Sequence, residues 1–381
     1  PRLFSKLLPI PLNRRTIIGL STLVLNIILT RTFNRVSTRG PTFVTWLPTF
    51  DCNAYCQFCG THILHKKTPE ALSRERSLEI AEEIGRSKTW VVGFTGGEVL
   101  LWPFLFDVIR ILKQHDVIVY IVTNGLMLEK FANQIVSSGV DTVVVSIDSD
   151  DASQHDDVRK VEGLYQKAID GIEKLKFIRK GQKPHIKSTT VVFRANLERL
   201  KQIIGRLELI VDETSIQPIV GDYEDHPHNR GEQRLAKFLF ESDDMQIVEK
   251  TLDLFFKRFP SYRKYYFQMI PTYWNNPQHL VDTVKCWSPF LRLQIMPNGT
   301  TRQCTVRSDY GATGNLNQCS LMDAWNSIEM KRQREEIRHH CNNCICWTQD
   351  TAFNAVLHQS KLARHLPVFQ TQHTSSLKID R

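Results

Sequence analysis

The amino-acid sequence predicts an α/β fold built on a parallel sheet. Short runs rich in β-branched residues recur along the first half of the 381 residues, and segments with the period of an amphipathic helix lie between them. A strand followed by a helix, repeated six times, requires parallel pairing through right-handed crossovers. In addition, the residues able to carry chemistry fall where these strands end, which is the functional edge of a parallel α/β barrel.

The elements follow one another at regular intervals along the chain. Strands are predicted over 43–47, 90–94, 117–122, 142–147, 186–193 and 214–220. Helical periodicity indicates helices over 77–86, 104–114, 126–138, 164–179 and 197–207. We predict an N-terminal basic-flanked apolar helix at 1–40, a barrel at 41–221, a helical, aromatic-rich connector at 222–282, a small α+β domain at 283–350, and a C-terminal helix and tail at 351–381.

Charge and cysteine content narrow the function classes. The formal net charge of +9 would suit a nucleic-acid partner, because Lys and Arg attract phosphates. The basic residues are dispersed, however, and no long basic run is interleaved with aromatics, so no nucleic acid is expected. The nine cysteines cluster in short-spaced groups, which favours metal binding in a reducing compartment over disulfides. We therefore expect a cytoplasmic protein.

The N-terminal region contains an apolar stretch at 17–29 with Arg14, Arg15, Arg31 and Arg35 on its flanks. This stretch is shorter than the roughly twenty residues that a membrane-spanning helix needs, and no small-x-small cleavage site follows it. Two interpretations remain. The helix packs on the barrel, or residues 14–35 make a peripheral contact with a membrane surface.

Three cysteines lie directly after the first predicted strand. Cys52, Cys56 and Cys59 have the spacing C-x-x-x-C-x-x-C. A [4Fe-4S] cluster is normally held by four thiolates, so a compact loop of three, with no fourth cysteine nearby, leaves one iron open for a substrate or cofactor. The alternative is a zinc site completed by His62 or His65, although zinc prefers paired C-x-x-C or Cys/His sets.

This spacing resembles the radical S-adenosylmethionine (SAM) superfamily, because further matches follow in the same order. They are Phe94-Thr95-Gly96-Gly97-Glu98, Ser146-Ile147-Asp148, His155-Asp156-Asp157-Val158-Arg159 and Asn196. The resemblance implies a partial (β/α)6 barrel and a [4Fe-4S] cluster whose open iron binds SAM. It also implies a 5′-deoxyadenosyl radical that takes hydrogen from an unactivated C–H bond.

The resemblance assigns cofactor-binding roles around the cysteine loop. Phe58 matches the aromatic residue that packs on the adenine of SAM. Gly96 and Gly97 remove side chains so that the backbone can approach a ligand. Glu98 matches the carboxylate that binds the amino group of SAM.

Further along the chain, the resemblance places residues near the carboxylate and ribose of SAM. Ser146 matches a serine that contacts either group, with Asp148 as a nearby acceptor. Arg159 pairs with a carboxylate through its two-pronged donor geometry, or it forms a salt bridge on a helix surface. Thr190 and Asn196 match positions that contact the ribose.

A second cysteine group follows in the C-terminal part of the chain. Its members are Cys286, Cys304, Cys341 and Cys344. Four thiolates are enough to close a cluster, and the arrangement resembles the twitch domain, a shortened SPASM domain. The resemblance implies one auxiliary [4Fe-4S] cluster, while a zinc tetrathiolate remains the alternative.

Two further cysteines have no assigned ligand role. Cys346 competes with Cys344 as a ligand, and Cys319 lies between the predicted ligands. Cys319 or Cys346 is a candidate hydrogen-atom donor to a substrate radical, with simple packing as the alternative.

Together these features predict a radical SAM enzyme. An oxidoreductase or dehydrogenase is favoured, with epimerisation and bond formation left open, and the reductant is an electron donor such as flavodoxin or ferredoxin. With only about forty residues ahead of the barrel, a small-molecule or lipid-like substrate is favoured over the peptide or protein substrate of a maturase. The rival from another class is a zinc-stabilised, non-catalytic barrel acting as a binding or scaffold protein, which needs neither the Gly-Gly-Glu element nor Phe58.

Overall fold

The structure is a computed structural model of the 381-residue chain. It describes residues 14–26, 28–29, 39–61, 71–179, 183–219, 237–240, 244–256, 270–271, 287–304 and 311–340. Most of the predicted connector and all of the predicted tail lie outside these ranges.

The described residues form a nine-stranded sheet with the order β6-β5-β4-β3-β2-β1-β7-β8-β9. The strands are β1 Phe43–Trp46, β2 Val91–Phe94, β3 Ile118–Thr123, β4 Thr142–Ser146, β5 His185–Val192, β6 Glu213–Pro218, β7 Arg292–Ile295, β8 Thr300–Arg302 and β9 Gly314–Asn315. Strands β1 to β7 pair in parallel, whereas β8 and β9 are antiparallel. The predicted α/β fold with a parallel sheet is confirmed.

Eleven α-helices are described. They are α1 Arg14–Asn26, α2 Arg74–Arg86, α3 Leu105–Gln114, α4 Leu128–Ser138, α5 Ala152–Arg159, α6 Leu164–Arg179, α7 Leu200–Leu207, α8 Met245–Phe256, α9 Ser288–Leu291, α10 Leu321–Trp325 and α11 Ile328–His340. Short 3-10 turns lie at Val99–Leu101 and Arg194–Asn196.

The main core lies between the sheet and helices α2, α3, α4, α6 and α7. Helix α3 shows why these segments are helical, because Leu105, Val108, Ile109 and Leu112 recur at the helical period and are all buried. Helix α4 stops at Gly139, which adopts φ 82° without the steric cost that a side chain would bring.

Strand β7 connects the two parts of the chain. The sequence predicted a separate small domain, but β7 pairs in parallel with β1, from Phe43 beside Arg292 to Trp46 beside Ile295. The Arg292 guanidinium also donates a hydrogen bond to the Thr45 hydroxyl at 2.8 Å. Strand β1 therefore has a partner on each side.

Helix α1 packs on the rest of the protein. Leu23 is buried against Trp287, Phe290 and Leu291, and the Asn26 amide donates to the carbonyl oxygen of Gly40 at 3.0 Å. These contacts support a helix packed on the barrel. Among the described residues, none of the helices combines the length and the apolar character needed to cross a membrane.

Candidate functional site

The loop after β1 carries Cys52, Cys56 and Cys59 at the carboxyl edge of the sheet. Cys56 is buried and the other two are partly buried. Burial raises the pKa of the Cys52 thiol and raises that of Cys56 to about 12, against the opposing effect of the Arg159 charge. These thiols therefore need a further positive charge to ionise, which a bound metal centre supplies.

Two backbone hydrogen bonds attach this loop to the end of α5. The amide of Tyr55 donates to the carbonyl oxygen of Arg159 at 3.1 Å, and the amide of Gln57 donates to that of Val158 at 2.9 Å. The cysteine loop and the last turn of α5 are thus held together without the help of any cofactor.

Arg159 turns inward from α5 toward the cysteines. Its Nε and Nη2 donate to the same Asp148 oxygen at 2.9 and 2.7 Å, and its Nη1 lies 3.9 Å from the Cys56 sulfur. Burial works to lower its pKa, but the negative charge of Asp148 and the hydrogen bonds to that carboxylate outweigh burial and hold the pKa above its ordinary value. Since Arg159 is only 6% exposed, the interpretation as a salt bridge on a helix surface was wrong.

Asp148 is the centre of a buried hydrogen-bond network. Its second carboxylate oxygen accepts from the Val191 amide at 2.9 Å, and its carbonyl oxygen accepts from the Asn196 amide at 2.9 Å. Its own backbone N–H donates to Nδ1 of His155 at 3.1 Å. Burial, with a smaller effect of the Arg159 charge, lowers the pKa of His155 to about 3, so this imidazole is neutral and accepts.

Glu98 joins the ends of β2 and β3. Its Oε1 accepts from the Thr123 hydroxyl at 2.7 Å and from the Leu100 amide at 3.1 Å, while Oε2 accepts from the Asn124 amide at 2.8 Å. Glu98 is 1% exposed, and burial raises its pKa against the effect of these donors. A carboxylate has about four acceptor positions, so Glu98 keeps capacity for one more donor such as an ammonium group.

Gly96 and Gly97 allow the loop after β2 to lie against the backbone of the cysteine loop. A Cβ on Gly97 would lie 2.1 Å from the carbonyl oxygen of Asp51, and one on Gly96, whose φ is 122°, would lie 2.8 Å from that of Thr49. The sequence predicted that these glycines let the backbone approach a ligand. The close approach that the structure shows is to the backbone of the cysteine loop. The Gly97 amide also donates a hydrogen bond to the Thr49 carbonyl oxygen at 2.9 Å, which connects the two loops.

Thr190 and Asn196, which the resemblance placed near the ribose, form hydrogen bonds within the protein. The Thr190 hydroxyl donates to the carbonyl oxygen of Ile147 at 2.6 Å, so it connects β5 to the end of β4. The Asn196 side chain also accepts from the Phe193 amide at 3.0 Å, in addition to its bond to Asp148. Both residues position the network because their polar atoms are buried and already bonded.

Ser146 differs from these two residues. It closes β4 beside Thr189 and is half-buried. No hydrogen bond of its hydroxyl joins it to any other part of the chain that the structure describes.

Phe58 lies in an aromatic cluster that the sequence did not reveal. Its ring centroid is 6.1 Å from that of Phe193 and 5.9 Å from that of Phe238, and the last two rings meet edge to face at 5.3 Å. Phe238 belongs to the predicted connector, so part of that segment covers the cysteine loop beside Phe58. Helically spaced aromatics were the only signal, and they do not indicate which surface they cover.

The second cysteine group is only partly described. Cys286, Cys341, Cys344 and Cys346 lie outside the described residues, whereas Cys304 is buried just after β8. The Cys319 thiol donates to the carbonyl oxygen of Asn315 at 3.3 Å, and its own carbonyl oxygen accepts from Arg76 of α2 at 3.0 Å. These contacts support packing for Cys319, and they do not support a hydrogen-atom donor.

Within the described ranges, no three cysteine, histidine or acidic side chains are grouped to hold a metal ion. The donor set of the cysteine loop still fits an iron-sulfur cluster in its chemistry. Three thiols share one loop with a buried guanidinium, and thiolates are the ligands that such clusters use.

Family comparisons agree with this site. The model of the radical SAM superfamily matches residues 46–207. The chain carries a radical SAM domain. A second match, to the SPASM iron-sulfur cluster-binding domain, covers residues 286–345. The radical SAM domain implies a [4Fe-4S] cluster and SAM as cofactors, and the SPASM domain implies auxiliary iron-sulfur chemistry, so the resemblance seen in the sequence is confirmed.

Curated relatives match parts of the chain of different lengths. An AdoMet-dependent heme synthase of Methanosarcina barkeri is 29% identical over 164 residues, which are 43% of this chain and 46% of the relative. A probable GTP 3',8-cyclase of Archaeoglobus fulgidus is 36% identical over 32% of this chain and 40% of the relative. The match thus spans less than half the length of these two relatives. A probable GTP 3',8-cyclase of Sulfurisphaera tokodaii is 28% identical over 68% of this chain and 79% of the relative.

Solved radical SAM structures share the fold. SuiB of Streptococcus suis, bound to its precursor peptide SuiA, superposes with a TM-score of 0.60 at 15% identity, over 82% of this chain and 70% of SuiB. The enzyme anSMEcpe with bound AdoMet superposes with a TM-score of 0.57 at 15% identity, over 77% of this chain and 82% of that one. At this level of identity the likeness shows the fold alone.

Proposed function

We propose that this chain is an enzyme that cleaves SAM reductively and uses the resulting radical to take hydrogen from an unactivated C–H bond. The observation that carries the proposal is the meeting of three elements at one sheet edge: the three-cysteine loop, the buried Glu98 carboxylate and the Asp148–Arg159 ion pair. A [4Fe-4S] cluster supplies the electron for this cleavage when it is bound.

Each group has a distinct task in the proposed reaction. Cys52, Cys56 and Cys59 hold three irons of the cluster, which leaves the fourth iron for SAM. Glu98 offers its remaining acceptor position to the amino group of SAM. Arg159 donates two of its five N–H groups to Asp148, and its Nη1 lies beside the Cys56 sulfur, where a carboxylate of SAM is the matching partner.

The aromatic cluster and the C-terminal domain complete the proposal. Phe58 offers a ring face to the adenine, and its position is maintained by Phe193 and Phe238. Cys304 would be among the ligands of the auxiliary cluster, which would supply an electron acceptor for the substrate radical or a binding site for the substrate. The reductant is a low-potential donor such as flavodoxin or ferredoxin.

For the substrate we propose a small or lipid-like molecule. The names of the sequence relatives support it, because they are heme synthases and GTP cyclases and none of those cited is named for a peptide. A peptide- or protein-modifying maturase is the second candidate, because the fold matches SuiB bound to a precursor peptide and anSMEcpe bound to a peptide.

SAM cleavage tests the proposal directly. After anaerobic reconstitution with iron and sulfide, the chain is reduced with dithionite and 5′-deoxyadenosine is measured. We expect cleavage by the wild type and by Cys319→Ser, whose thiol donates to the carbonyl oxygen of Asn315, and loss of cleavage in Cys56→Ala. If a folded Cys56→Ala protein cleaves SAM at the wild-type rate, the proposal fails.

Metal content tests the scaffold alternative. About eight irons per chain, and an electron paramagnetic resonance (EPR) spectrum that changes on adding SAM, support two clusters and the enzyme. Zinc without iron would instead favour a non-catalytic barrel.

A further inference from the structure

A buried arginine in the C-terminal domain lacks a counter-charge. Arg334 of α11 is 3% exposed, its Nε donates to the carbonyl oxygen of Pro289 at 2.8 Å, and its guanidinium carbon lies 4.2 Å from the ring centroid of Trp325. Among the described residues no carboxylate pairs with it, and its Nη2 has no hydrogen-bond partner. Burial alone lowers its pKa to about 9. A buried, unpaired charge is costly, so this position calls for an anion.

A second buried side chain nearby is also unsatisfied. Gln303 is 1% exposed, and within the described structure neither its amide nitrogen nor its amide oxygen has a partner. Its carbonyl oxygen accepts from the Ser288 hydroxyl at 3.2 Å, and Ser288 precedes the Pro289 that Arg334 contacts. Gln303 and Arg334 therefore meet the same short stretch of chain, with Cys304 directly after Gln303.

The chemistry of these groups defines the missing partner. Water would satisfy the amide of Gln303 but would not balance the charge of Arg334. A four-thiolate [4Fe-4S] cluster balances the charge of Arg334 and accepts a hydrogen bond from Nε2 of Gln303, because it carries net negative charge and its sulfurs are acceptors. Cys304, the next residue after Gln303, is the one predicted ligand of that centre within the described residues, and it is buried.

We propose that Arg334 and Gln303 are positioning residues for the auxiliary cluster: Arg334 balances its negative charge and Gln303 donates a hydrogen bond to one of its sulfurs. This inference rests on the auxiliary cluster of the proposed function. Reduction adds one electron to the cluster, and a nearby positive charge stabilises the reduced form. Arg334 therefore raises the midpoint potential of the auxiliary cluster and slows the loss of the cluster from the protein.

In the cluster-free protein, Arg334 is expected to lower the stability of the fold. Without the cluster, Arg334 is an unpaired buried charge, and replacing it with Met removes that cost while keeping an apolar stem against Trp325. A purely structural arginine would instead stabilise both forms. The sign of the effect in the two forms therefore separates the two roles.

The test uses the full chain with Cys52, Cys56 and Cys59 replaced by Ala, so that only the auxiliary cluster is measured. Iron and sulfide per chain after reconstitution and gel filtration, and the midpoint potential from an EPR-monitored titration, are compared for Arg334→Met, Gln303→Leu and Arg334→Lys. Arg332→Met is the matched control, because Arg332 is exposed two residues earlier on the same helix.

We expect Arg334→Met to lower the midpoint potential and to reduce bound iron by about half or more. Gln303→Leu lowers the potential, Arg334→Lys retains the cluster, and Arg332→Met leaves both readouts unchanged. In the cluster-free protein, the thermal unfolding midpoint of Arg334→Met equals or exceeds that of the parent.

Wild-type iron content and potential in Arg334→Met would overturn the inference while leaving the auxiliary cluster in place. A lower unfolding midpoint of cluster-free Arg334→Met would also overturn it, because Arg334 would then act by packing. If the triple-alanine parent binds no iron, or binds zinc instead, the auxiliary cluster itself is refuted and this inference with it.

Discussion

The guanidinium of Arg159 lies 3.9 Å from the sulfur of Cys56, although the two residues are 103 positions apart in the chain. The contact depends on Asp148, which holds two of the guanidinium nitrogens on one oxygen. The charge beside the cysteine loop is therefore set by an ion pair between the end of β4 and the end of α5. Several consequences of this site can be measured.

Asp148→Asn should destabilise the protein and reduce cluster binding. It leaves the buried Arg159 charge without its partner, and breaking one side of a buried ion pair costs about 3–5 kcal/mol. Urea unfolding and iron per chain are the measurements. The matched control is Asp150→Asn in the same loop, whose ion pair with the half-exposed Arg199 should contribute far less, because water screens it. Equal losses in the two variants would contradict this interpretation.

Gly97→Ala should separate the loop after β2 from the cysteine loop. Its Cβ would lie 2.1 Å from the Asp51 carbonyl oxygen, so one backbone segment has to move. We expect loss of most SAM cleavage and reduced iron retention in a protein that still folds. Gly205→Ala on α7, where no atom lies within 4 Å of the added Cβ, should instead stabilise by about 0.5–1 kcal/mol. Normal cleavage by Gly97→Ala would show that the close approach is dispensable.

Glu98→Gln should weaken SAM binding by about ten- to a hundredfold, because a charge-assisted hydrogen bond contributes about 1.5–3 kcal/mol. The new amide group must also face one of the donors from Thr123, Leu100 or Asn124. Equilibrium dialysis of SAM with the cluster-loaded protein measures the change. Glu129→Gln, on the exposed first turn of α4, is the control. Unchanged SAM affinity in Glu98→Gln would exclude Glu98 as the partner of the amino group.

His155 should make the cluster-free protein sensitive to mild acid. Burial lowers its pKa from 6.5 to about 3, so between these values the unfolded chain binds a proton that the folded chain does not. Its contribution is complete above pH 6.5 and is lost as the pH falls toward 3, by up to about 1.4 kcal/mol per pH unit. Urea unfolding between pH 7.5 and 5 should show a smaller slope for His155→Gln. Identical slopes would mean that His155 is not held neutral.

Strands β1 to β6 could be predicted from the sequence to within about two residues. Strands β1, β2 and β4 are short, mostly buried runs, and β3, β5 and β6 alternate buried residues with more exposed ones, so each has a local pattern. Strand β7 could not. Arg292–Ile295 has only four residues and begins with a charge, and its partner β1 is about 250 residues away in the chain. Pairing at that separation leaves no local pattern.

In the candidate site, too, local features could be predicted from the sequence and long-range contacts could not. The spacing of Cys52, Cys56 and Cys59 is local and was readable, as was the position of Glu98 at a strand end. The hydrogen bonds of Thr190 and Asn196 were not, because residue type does not reveal whether a polar atom faces a ligand or a neighbouring backbone. The contact of Phe58 with Phe238 depends on the path of the connector, which its helically spaced aromatics do not indicate.

The pairing of β1 with β7 also constrains the order of events during synthesis. Leu47, which leads into the cysteine loop, donates its backbone hydrogen bond to the carbonyl oxygen of Ile295 at 2.8 Å. That acceptor leaves the ribosome long after the cysteines themselves. The loop therefore acquires its final shape only once most of the polypeptide has been made, and iron and sulfide delivered earlier would meet a strand with one edge still unpaired. Insertion of the metal is in this sense a late step of maturation, timed by a strand that contributes no ligand to it.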